Sequence, residues 1–244
     1  MANKVLFICA THGDEGFSIP VLKELEKTYP KEKYNYDWII GNPFALKKQT
    51  RFVDCDLNRS APGNLNALEY ENRRAAEIRE ISKQYDIVID IHGTKSNFGV
   101  VKIIPYPTYP NLILASYFSE KRNVIWYSKK SKAKGPLVQF MHCPAIELEC
   151  GDKTDPNNKQ LLKRTLSTFL ETLQRTTLPN DTQDQEFYLV YGKVTQDPIQ
   201  QKDFVKTTLA NETFYPFLTS NGYKNTSYYK MGKVTQEELF DEIV

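Results

Sequence analysis

The stretch VLFICATHGDEG, residues 5–16, joins an apolar run to a polar loop and largely decides the fold. Its first six residues are all apolar, which is typical of a strand buried on both faces of a sheet. His12 and Glu15 follow at once, three positions apart, and a helix candidate at 18–29 comes next with Ser18 as its candidate cap. We therefore expect a buried strand whose carboxyl end carries polar side chains.

Strand and helix candidates alternate along the next 160 residues. This alternation predicts an α/β fold with a mixed, largely parallel sheet flanked by helices. The further strand candidates lie at 38–40, 87–91, 100–104, 124–127 and 145–148, and the further helix candidates at 66–85 and 158–176.

The pattern of residue types changes near residue 180. Short aromatic and β-branched segments follow, and no helix pattern returns until the acidic tail at 236–243. We therefore predict two domains, a large α/β domain at 1–180 and a small β-rich C-terminal domain at 181–244, the latter too small to fold alone. The strand candidates of this second part lie at 187–191, 204–208, 214–219 and 227–229.

The composition excludes several classes of protein. Of the 244 residues, 40% are apolar and 25% charged, which is ordinary for a folded soluble chain, and the net charge is only +2. The lysine cluster at 129–134 lacks interleaved aromatic residues, so we expect no nucleic-acid partner. No apolar stretch reaches the roughly 20 residues of a membrane span. Four cysteines without a C-x-x-C spacing favour reduced thiols, and we predict a cytoplasmic protein.

Polar residues cluster where four predicted strands end. The loop TRFVDCDLNR, residues 50–59, follows the second strand, His92 ends the strand within VIDIHGT, and Glu149 ends the strand within AIELECG. Because sites in such sheets form outside the carboxyl ends of the strands, we expect these groups to meet those of the first loop.

Two imidazoles and one carboxylate are a standard ligand set for catalytic zinc, which keeps a further position open. His12, Glu15 and His92 can supply that set. Taken alone, the His-x-x-Glu spacing also suits a polar surface loop, and only the addition of His92 favours a site for one Zn²⁺ ion.

Neighbouring residues support this metal site. Gly13 and Gly16 would let the backbone turn sharply. Asp90 stands two positions before His92 on the same strand, so both side chains point to one side and Asp90 can orient the imidazole.

A carboxylate beside the metal can act as general base and later as general acid. We assign this role to Glu149 because it lies at the end of its predicted strand, two positions before Gly151. Glu147 shares the same face of the strand and is the alternative. A structural ion pair is the other explanation for either glutamate.

Arginine binds carboxylates through a planar fork. We predict that Arg59 with Asn58 holds a carboxylate of the substrate, and that Arg51 polarises the scissile carbonyl and stabilises the oxyanion. The alternative is that the polar residues 56–59 only organise a long loop.

Taken together, these motifs resemble the zinc carboxypeptidase superfamily, and within it the aspartoacylase and succinylglutamate desuccinylase family. The matching segments are HGDE at 12–15, DLNR at 56–59 with Arg51 upstream, DIHGT at 90–94 and ECG at 149–151. The resemblance implies zinc held by His12, Glu15 and His92, with Glu149 as acid/base and the arginines on the substrate. It also implies hydrolysis of an amide that joins an acyl group to an amino acid.

The resemblance further implies that a tyrosine from the C-terminal part reaches the site, and Tyr223 is the candidate. The aspartoacylase branch has another arginine shortly before the catalytic glutamate, whereas residues 135–148 contain none. Either Lys132 or Lys134 replaces it, or the substrate is less acidic. A shorter C-terminal part also predicts a more open pocket that can admit a peptide.

We therefore predict a cytoplasmic zinc-dependent amidohydrolase that cleaves an N-acyl amino acid by water attack without a covalent intermediate. One alternative is a metallocarboxypeptidase that trims a short peptide with the same residues. A second is a binding module without catalysis. We expect a small-molecule or peptide partner and no membrane partner, and the sequence leaves the oligomeric state open.

Overall fold

The computed structural model describes residues 3–127, 135–175, 185–195, 197, 201–219 and 227–243, and these form one mixed sheet of ten strands with helices packed on it. The strands are β1 (Val5–Cys9), β2 (Tyr36–Ile40), β3 (Ile87–Thr94), β4 (Val100–Ile104), β5 (Arg122–Ile125), β6 (Ala145–Asp152), β7 (Glu186–Val194), β8 (Thr207–Leu209), β9 (Glu212–Phe217) and β10 (Tyr228–Val234). The helices are α1 (Ser18–Thr28), α2 (Lys31–Tyr34), α3 (Pro43–Lys48), α4 (Tyr70–Ser82), α5 (Tyr109–Ser116), α6 (Pro156–Leu173) and α7 (Gln236–Ile243).

The strand order across the sheet is β2-β1-β3-β6-β4-β5-β7-β10-β9-β8. The first four strands of this order run parallel to one another. β4 is antiparallel to β6 but parallel to β5, which in turn is parallel to β7, and the last strands pair antiparallel. The predicted fold class, a mixed and largely parallel sheet flanked by helices, is confirmed.

The apolar strands form because both faces of the sheet are covered. In β1, Val5, Phe7 and Cys9 belong to a core cluster with the apolar faces of α1, α5 and α6, whereas Leu6 and Ile8 belong to a cluster on the other face with α4. Burial on both sides explains why this strand has no polar position. Among the described helices, none has the length and hydropathy of a membrane span.

Two predicted helix features differ from the structure. Ser18 is not the cap of α1: Phe17 is already helical, with φ −60° and ψ −26°, and the Ser18 hydroxyl has no hydrogen-bond partner. The short helical turn Gly13–Glu15 leads into α1, so Ser18 falls inside the helix. The second difference is that α6 begins at Pro156, where the Asp155 carboxylate accepts a hydrogen bond from the Asn157 amide at 2.8 Å.

The strands after residue 185 continue the sheet of the preceding residues. β7 pairs with β5 from Glu186 opposite Arg122 to Leu189 opposite Ile125. Residues of β4, β5, β7, β9 and β10 contribute to a core cluster that we call the C-terminal core. Its buried members are Val101, Ile103, Val124, Tyr188, Phe204, Phe217, Leu218 and Met231. The predicted boundary at residue 180 lies outside the described residues, and the division into two domains stays a prediction.

Gly13 and Gly16 do not provide the sharp backbone turn that the sequence predicted. A Cβ atom on Gly13 would lie 2.1 Å from the backbone of Ala45, so close approach to α3 requires glycine there. Gly16 has an ordinary φ of −68°. The left-handed residue at the end of β1 is instead Ala10, with φ 52°, and such strain in a non-glycine residue is often found at functional sites.

Candidate metal and acid–base site

A cleft of about 820 Å³ opens at the carboxyl ends of β1, β3 and β6. These strands are adjacent and parallel, so the residues that follow β1 and those near the carboxyl ends of β3 and β6 meet at one edge of the sheet. His92 and Glu149 do not end their strands as expected, since β3 continues to Thr94 and β6 to Asp152. The cleft is lined by all of the described residues predicted to form the site: His12, Glu15, Arg51, Asn58, Arg59, His92 and Glu149.

The Glu15 carboxylate lies between the two imidazoles. Its Oε1 atom is 2.9 Å from Nδ1 of His12, and its Oε2 atom is 3.2 Å from Nδ1 of His92. All three residues are buried, and their ligand atoms lie within 4.8 Å of one another. The residues predicted to hold zinc are therefore close enough to contact one ion.

Each imidazole bonds a second carboxylate through its other nitrogen. Nε2 of His12 lies 3.0 Å from Asp56, and Nε2 of His92 lies 3.0 Å from Asp90. Asp90 also accepts a hydrogen bond from Thr11 at 2.7 Å. Because Nε2 of each imidazole is engaged by a carboxylate, Nδ1 is the nitrogen left to bind an ion beside Glu15.

This arrangement suits a cation between the imidazoles and Glu15. Burial alone lowers the pKa of His92, but the charge and hydrogen bond of Asp90, together with Glu15, outweigh it and hold that pKa well above its usual range. Burial raises the pKa of Glu15, yet the two histidines hold it below the usual value. Two imidazole nitrogens and a carboxylate fit a divalent ion such as Zn²⁺.

Glu147 and Glu149 point to the same face of β6 and both line the cleft. Glu147 is buried and accepts a hydrogen bond from Nδ2 of Asn58 at 2.8 Å. Glu149 is half-buried, and its carboxylate has no hydrogen-bond partner among the described residues. Burial raises the pKa of Glu149 to about 8, with nearby carboxylates adding to the effect. A carboxyl group of this kind can gain and lose a proton near neutral pH.

The loop after β2 brings its polar residues into the cleft. The Arg51 guanidinium donates to Oδ2 of Asp56 at 3.2 and 3.3 Å and lies 3.7 Å from Glu15. Arg59 is exposed and donates to the carbonyl oxygen of Asn58 at 2.7 Å, which leaves most of its donors directed to the cleft or solvent. Of the predicted site, Tyr223 lies outside the described residues, as do Lys132 and Lys134.

The Asn58 side chain is engaged at both ends. Its Nδ2 atom bonds Glu147, and its Oδ1 atom accepts from the amide of Leu137 at 2.7 Å. Asn58 therefore connects the loop after β2 to β6 and to the helical turn Leu137–Phe140.

Sequence reasoning missed Glu71, which organises the loop that carries Arg51 and Asp56. Its buried carboxylate accepts hydrogen bonds from the backbone amides of residues 53, 54 and 55 at 2.6, 3.0 and 3.2 Å, and from Asn42 at 2.9 Å. One signal could have found it. Glu71 lies four and seven positions before Ala75 and Ile78, which places a carboxylate on the apolar face of α4.

Known proteins resemble this chain in sequence. The family described as the succinylglutamate desuccinylase/aspartoacylase catalytic domain matches residues 1–175. A probable aspartoacylase of Prochlorococcus marinus (strain AS9601) is 32% identical over 158 residues, which cover 59% of this chain and 52% of that protein. One from Nostoc sp. (strain PCC 7120 / SAG 25.82 / UTEX 2576) is 30% identical over 130 residues, covering 48% and 44%.

Solved structures share the fold at low sequence identity. Murine aminoacylase 3 matches with a TM-score of 0.72 and 18% identity, covering 96% of each chain. A succinylglutamate desuccinylase from Chromobacterium violaceum matches with a TM-score of 0.70 and 14% identity, covering 96% of this chain and 85% of that one.

The chain therefore belongs to the succinylglutamate desuccinylase/aspartoacylase family, as its motifs predicted. It spans about half the length of the curated relatives that it matches.

Proposed function

We propose that this protein is a zinc-dependent amidohydrolase that removes the acyl group from an N-acyl amino acid. The observation that carries the proposal is the convergence of His12 and His92 on Glu15, in a cleft also lined by Glu149 and two arginines. Membership of a family named for deacylases of amino acids supports it. We keep a cytoplasmic location as a prediction.

In this proposal His12, Glu15 and His92 hold one zinc ion. When bound, zinc acts as a Lewis acid that polarises a carbonyl group and makes a water molecule more acidic. Asp56 and Asp90 keep both imidazoles in the orientation that ligation needs, since each accepts a hydrogen bond from the nitrogen that faces away from Glu15.

Glu149 is the proposed general base and general acid. Its carboxylate lies in the cleft without a hydrogen-bond partner among the described residues, so it can accept a proton from the attacking water. The same group then delivers the proton to the nitrogen of the leaving amine. Glu147 is less suited because it is buried and bonded to Asn58.

The arginines bind the substrate in this proposal. Arg59 holds the free carboxylate of the amino acid, with Asn58 beside it, although the Asn58 amide must exchange one of its present partners to touch the substrate. Arg51 polarises the scissile carbonyl oxygen and stabilises the charge that develops there. Tyr223 remains a prediction.

Product analysis tests the proposal. The zinc-supplied protein is incubated with N-acetyl amino acids and with unblocked dipeptides, and the products are identified by mass spectrometry. We expect acetate and the free amino acid from the first set, and release slower by about 100-fold or more in the Glu149→Gln variant. Release of the C-terminal residue from dipeptides alone would instead support the metallocarboxypeptidase. No hydrolysis of either set would support the non-catalytic binding module.

A further inference from the structure

One side of the cleft is apolar. We call Ile103, Trp126, Leu218 and Tyr229 the apolar wall, because all four line the cleft and belong to the C-terminal core or pack against it. The wall begins two positions along β6 from the proposed acid/base Glu149, since Ile103 lies directly opposite Glu147 in the antiparallel pairing of β4 with β6.

The aromatic part of the wall is held firmly in place. The rings of Trp126 and Tyr229 meet edge to face, with centroids 4.4 Å apart. Trp126 also contacts Phe217, at a centroid distance of 6.1 Å. Aromatic side chains fixed in this way present a large apolar surface to a ligand at little entropic cost.

Leu218 is held in a backbone conformation that leucine rarely adopts. Its φ is 60°, in the left-handed region. The next residue, Thr219, is fixed by Asp203, whose carboxylate accepts from the Thr219 amide at 3.0 Å and from its hydroxyl at 3.2 Å. Strain of this kind persists only where the surroundings impose it, and it is common at ligand sites.

The charges of the cleft lie elsewhere. Among the residues that the structure describes, the cations lining the cleft are Arg51, Arg59, Lys95 and Lys153; Arg51 already pairs with Asp56, and Lys153 pairs with Asp14 at 2.8 Å. No member of the apolar wall carries a charge. A carboxylate placed against this wall would lose part of its hydration, and the wall itself offers no cation to pair with it.

We infer that the apolar wall selects substrates that carry an apolar group, aliphatic or aromatic, over substrates with an acidic one. This inference rests on the proposed function and names its substrate class. The apolar group is either the side chain of the amino acid or the acyl chain, since both flank the scissile amide.

Four compounds distinguish these sources: N-acetylglycine, N-acetylphenylalanine, N-hexanoylglycine and N-acetylaspartate. We expect kcat/KM for one of the two apolar compounds to exceed that for N-acetylglycine by about tenfold or more. The value for N-acetylaspartate should not exceed that for N-acetylglycine. A higher value for N-acetylphenylalanine assigns the wall to the amino acid side chain. A higher value for N-hexanoylglycine assigns it to the acyl chain.

Variants of Leu218 test the wall directly. Asparagine tolerates the left-handed conformation, so Leu218→Asn should preserve the backbone while removing the apolar surface. The ratio of kcat/KM for the apolar compound to kcat/KM for N-acetylglycine should therefore fall by about tenfold. Leu218→Met should retain the ratio. Val205→Asn replaces an exposed apolar residue outside the cleft and is the matched control.

A fluorescence titration gives a readout without turnover. The chain has two tryptophans, so Trp126 is the only one left in Trp38→Phe. With Glu149→Gln added, N-acetylphenylalanine or N-hexanoylglycine should change its emission, and N-acetylglycine should not.

Preference for N-acetylaspartate, or an unchanged ratio of kcat/KM values in Leu218→Asn, would contradict the selectivity assigned to the apolar wall. Neither result would contradict the proposed deacylase activity. If none of the four compounds is hydrolysed, the proposed function fails. The fluorescence titration then tests binding at the apolar wall without turnover. An emission change confined to the apolar compounds supports the inference, and no change contradicts it.

Discussion

The Nδ1 atom of His92 lies 3.2 Å from Oε2 of Glu15, although 77 positions separate the two residues in the sequence. The other oxygen of the same carboxylate lies 2.9 Å from Nδ1 of His12. One carboxylate thus joins the loop after β1 to the end of β3, and it brings two imidazole nitrogens together at the base of the cleft. The predictions below follow from this contact and its surroundings.

Glu15→Gln should weaken zinc binding by more than the roughly 10–100-fold that loss of an outer hydrogen bond to a ligand costs. The amide is a poorer ligand and no longer supplies negative charge between the imidazoles. Competition with a chromogenic chelator measures the Kd. Asp14→Asn is the matched control, since Asp14 is the adjacent residue but pairs with Lys153. Equal affinity of Glu15→Gln and the native protein would exclude Glu15 as a ligand.

Asp56→Asn should weaken zinc binding by about 10-fold. The amide introduced by this substitution can still accept from Nε2 of His12, but it lacks the charge that raises the basicity of the imidazole and anchors Arg51. The same competition assay checks it. Asp54→Asn, two positions away, changes a carboxylate that bonds the Tyr70 amide and should keep the native affinity. An equal loss in both variants would mean that disorder of the loop, rather than the His12 contact, is responsible.

Glu149→Gln should retain zinc and lose about 10²–10⁴-fold in kcat, the usual contribution of general acid–base catalysis. Glu147→Gln is the comparison, because it lies on the same face of β6 but bonds Asn58. Steady-state kinetics and zinc content are measured on both variants. Full activity in Glu149→Gln together with loss of activity in Glu147→Gln would transfer the acid–base role to Glu147.

Glu71→Gln should destabilise the protein at pH 7 by about 2–3 kcal/mol, because one side of the amide cannot accept from the backbone amides of residues 53–55. Burial raises the pKa of Glu71, but hydrogen bonds from these amides and from Asn42 outweigh it and lower the pKa. The stabilisation is therefore present above the unfolded pKa, about 4.5, and is lost as the pH falls through the folded value. Urea denaturation at pH 7 and pH 4 checks the trend.

The matched control for Glu71 is Glu77→Gln, an exposed position on the same helix that pairs with Arg74. This variant should change the free energy of unfolding by less than about 0.5 kcal/mol. A Glu71→Gln effect that does not shrink in acid would contradict the assigned pKa shift.

Lys102 predicts a rise of stability with pH in a higher pH window than Glu71. The buried ammonium donates to the carbonyl oxygens of Ala115 and Glu120 and to Gln185, and burial lowers its pKa to about 7. The unfolded chain, with a lysine pKa of about 10.5, binds more protons between these two values, so folding stability rises with pH across that window.

Relative to Lys102→Met, the native protein should gain about 1 kcal/mol per pH unit between about pH 7 and pH 9. Urea denaturation of both proteins gives this difference. Lys83→Met, at an exposed position paired with Glu80, should show no such slope. A constant difference between the native protein and Lys102→Met would contradict the lowered pKa.

The sequence predicted the strands best where burial is complete on both faces. β1 is apolar throughout, and β3 is apolar at four of its first five positions, because few positions of these strands face water. The convergence of His12, His92 and Glu149 was also predictable, since parallel neighbours end at one edge of a sheet. The contact between Asp90 and His92 follows from the two-residue period of a strand.

Other features depend on contacts that no local pattern encodes. Glu71 meets the amides of residues 53–55 only because α4 packs against that loop, and Asn58 bonds Glu147 across 89 positions. The pairing of β7 with β5 is equally non-local. The left-handed backbone at Ala10 and Leu218 is imposed by tertiary surroundings, because neither side chain favours it.

The metal content of the purified protein tests the central claim most directly. Inductively coupled plasma mass spectrometry is applied to the native protein and to His12→Ala and His92→Ala, each supplied with zinc and then freed of excess. We predict about one zinc ion per chain in the native protein and a loss in both variants. No metal in the native protein, or undiminished zinc in both variants, would contradict the account.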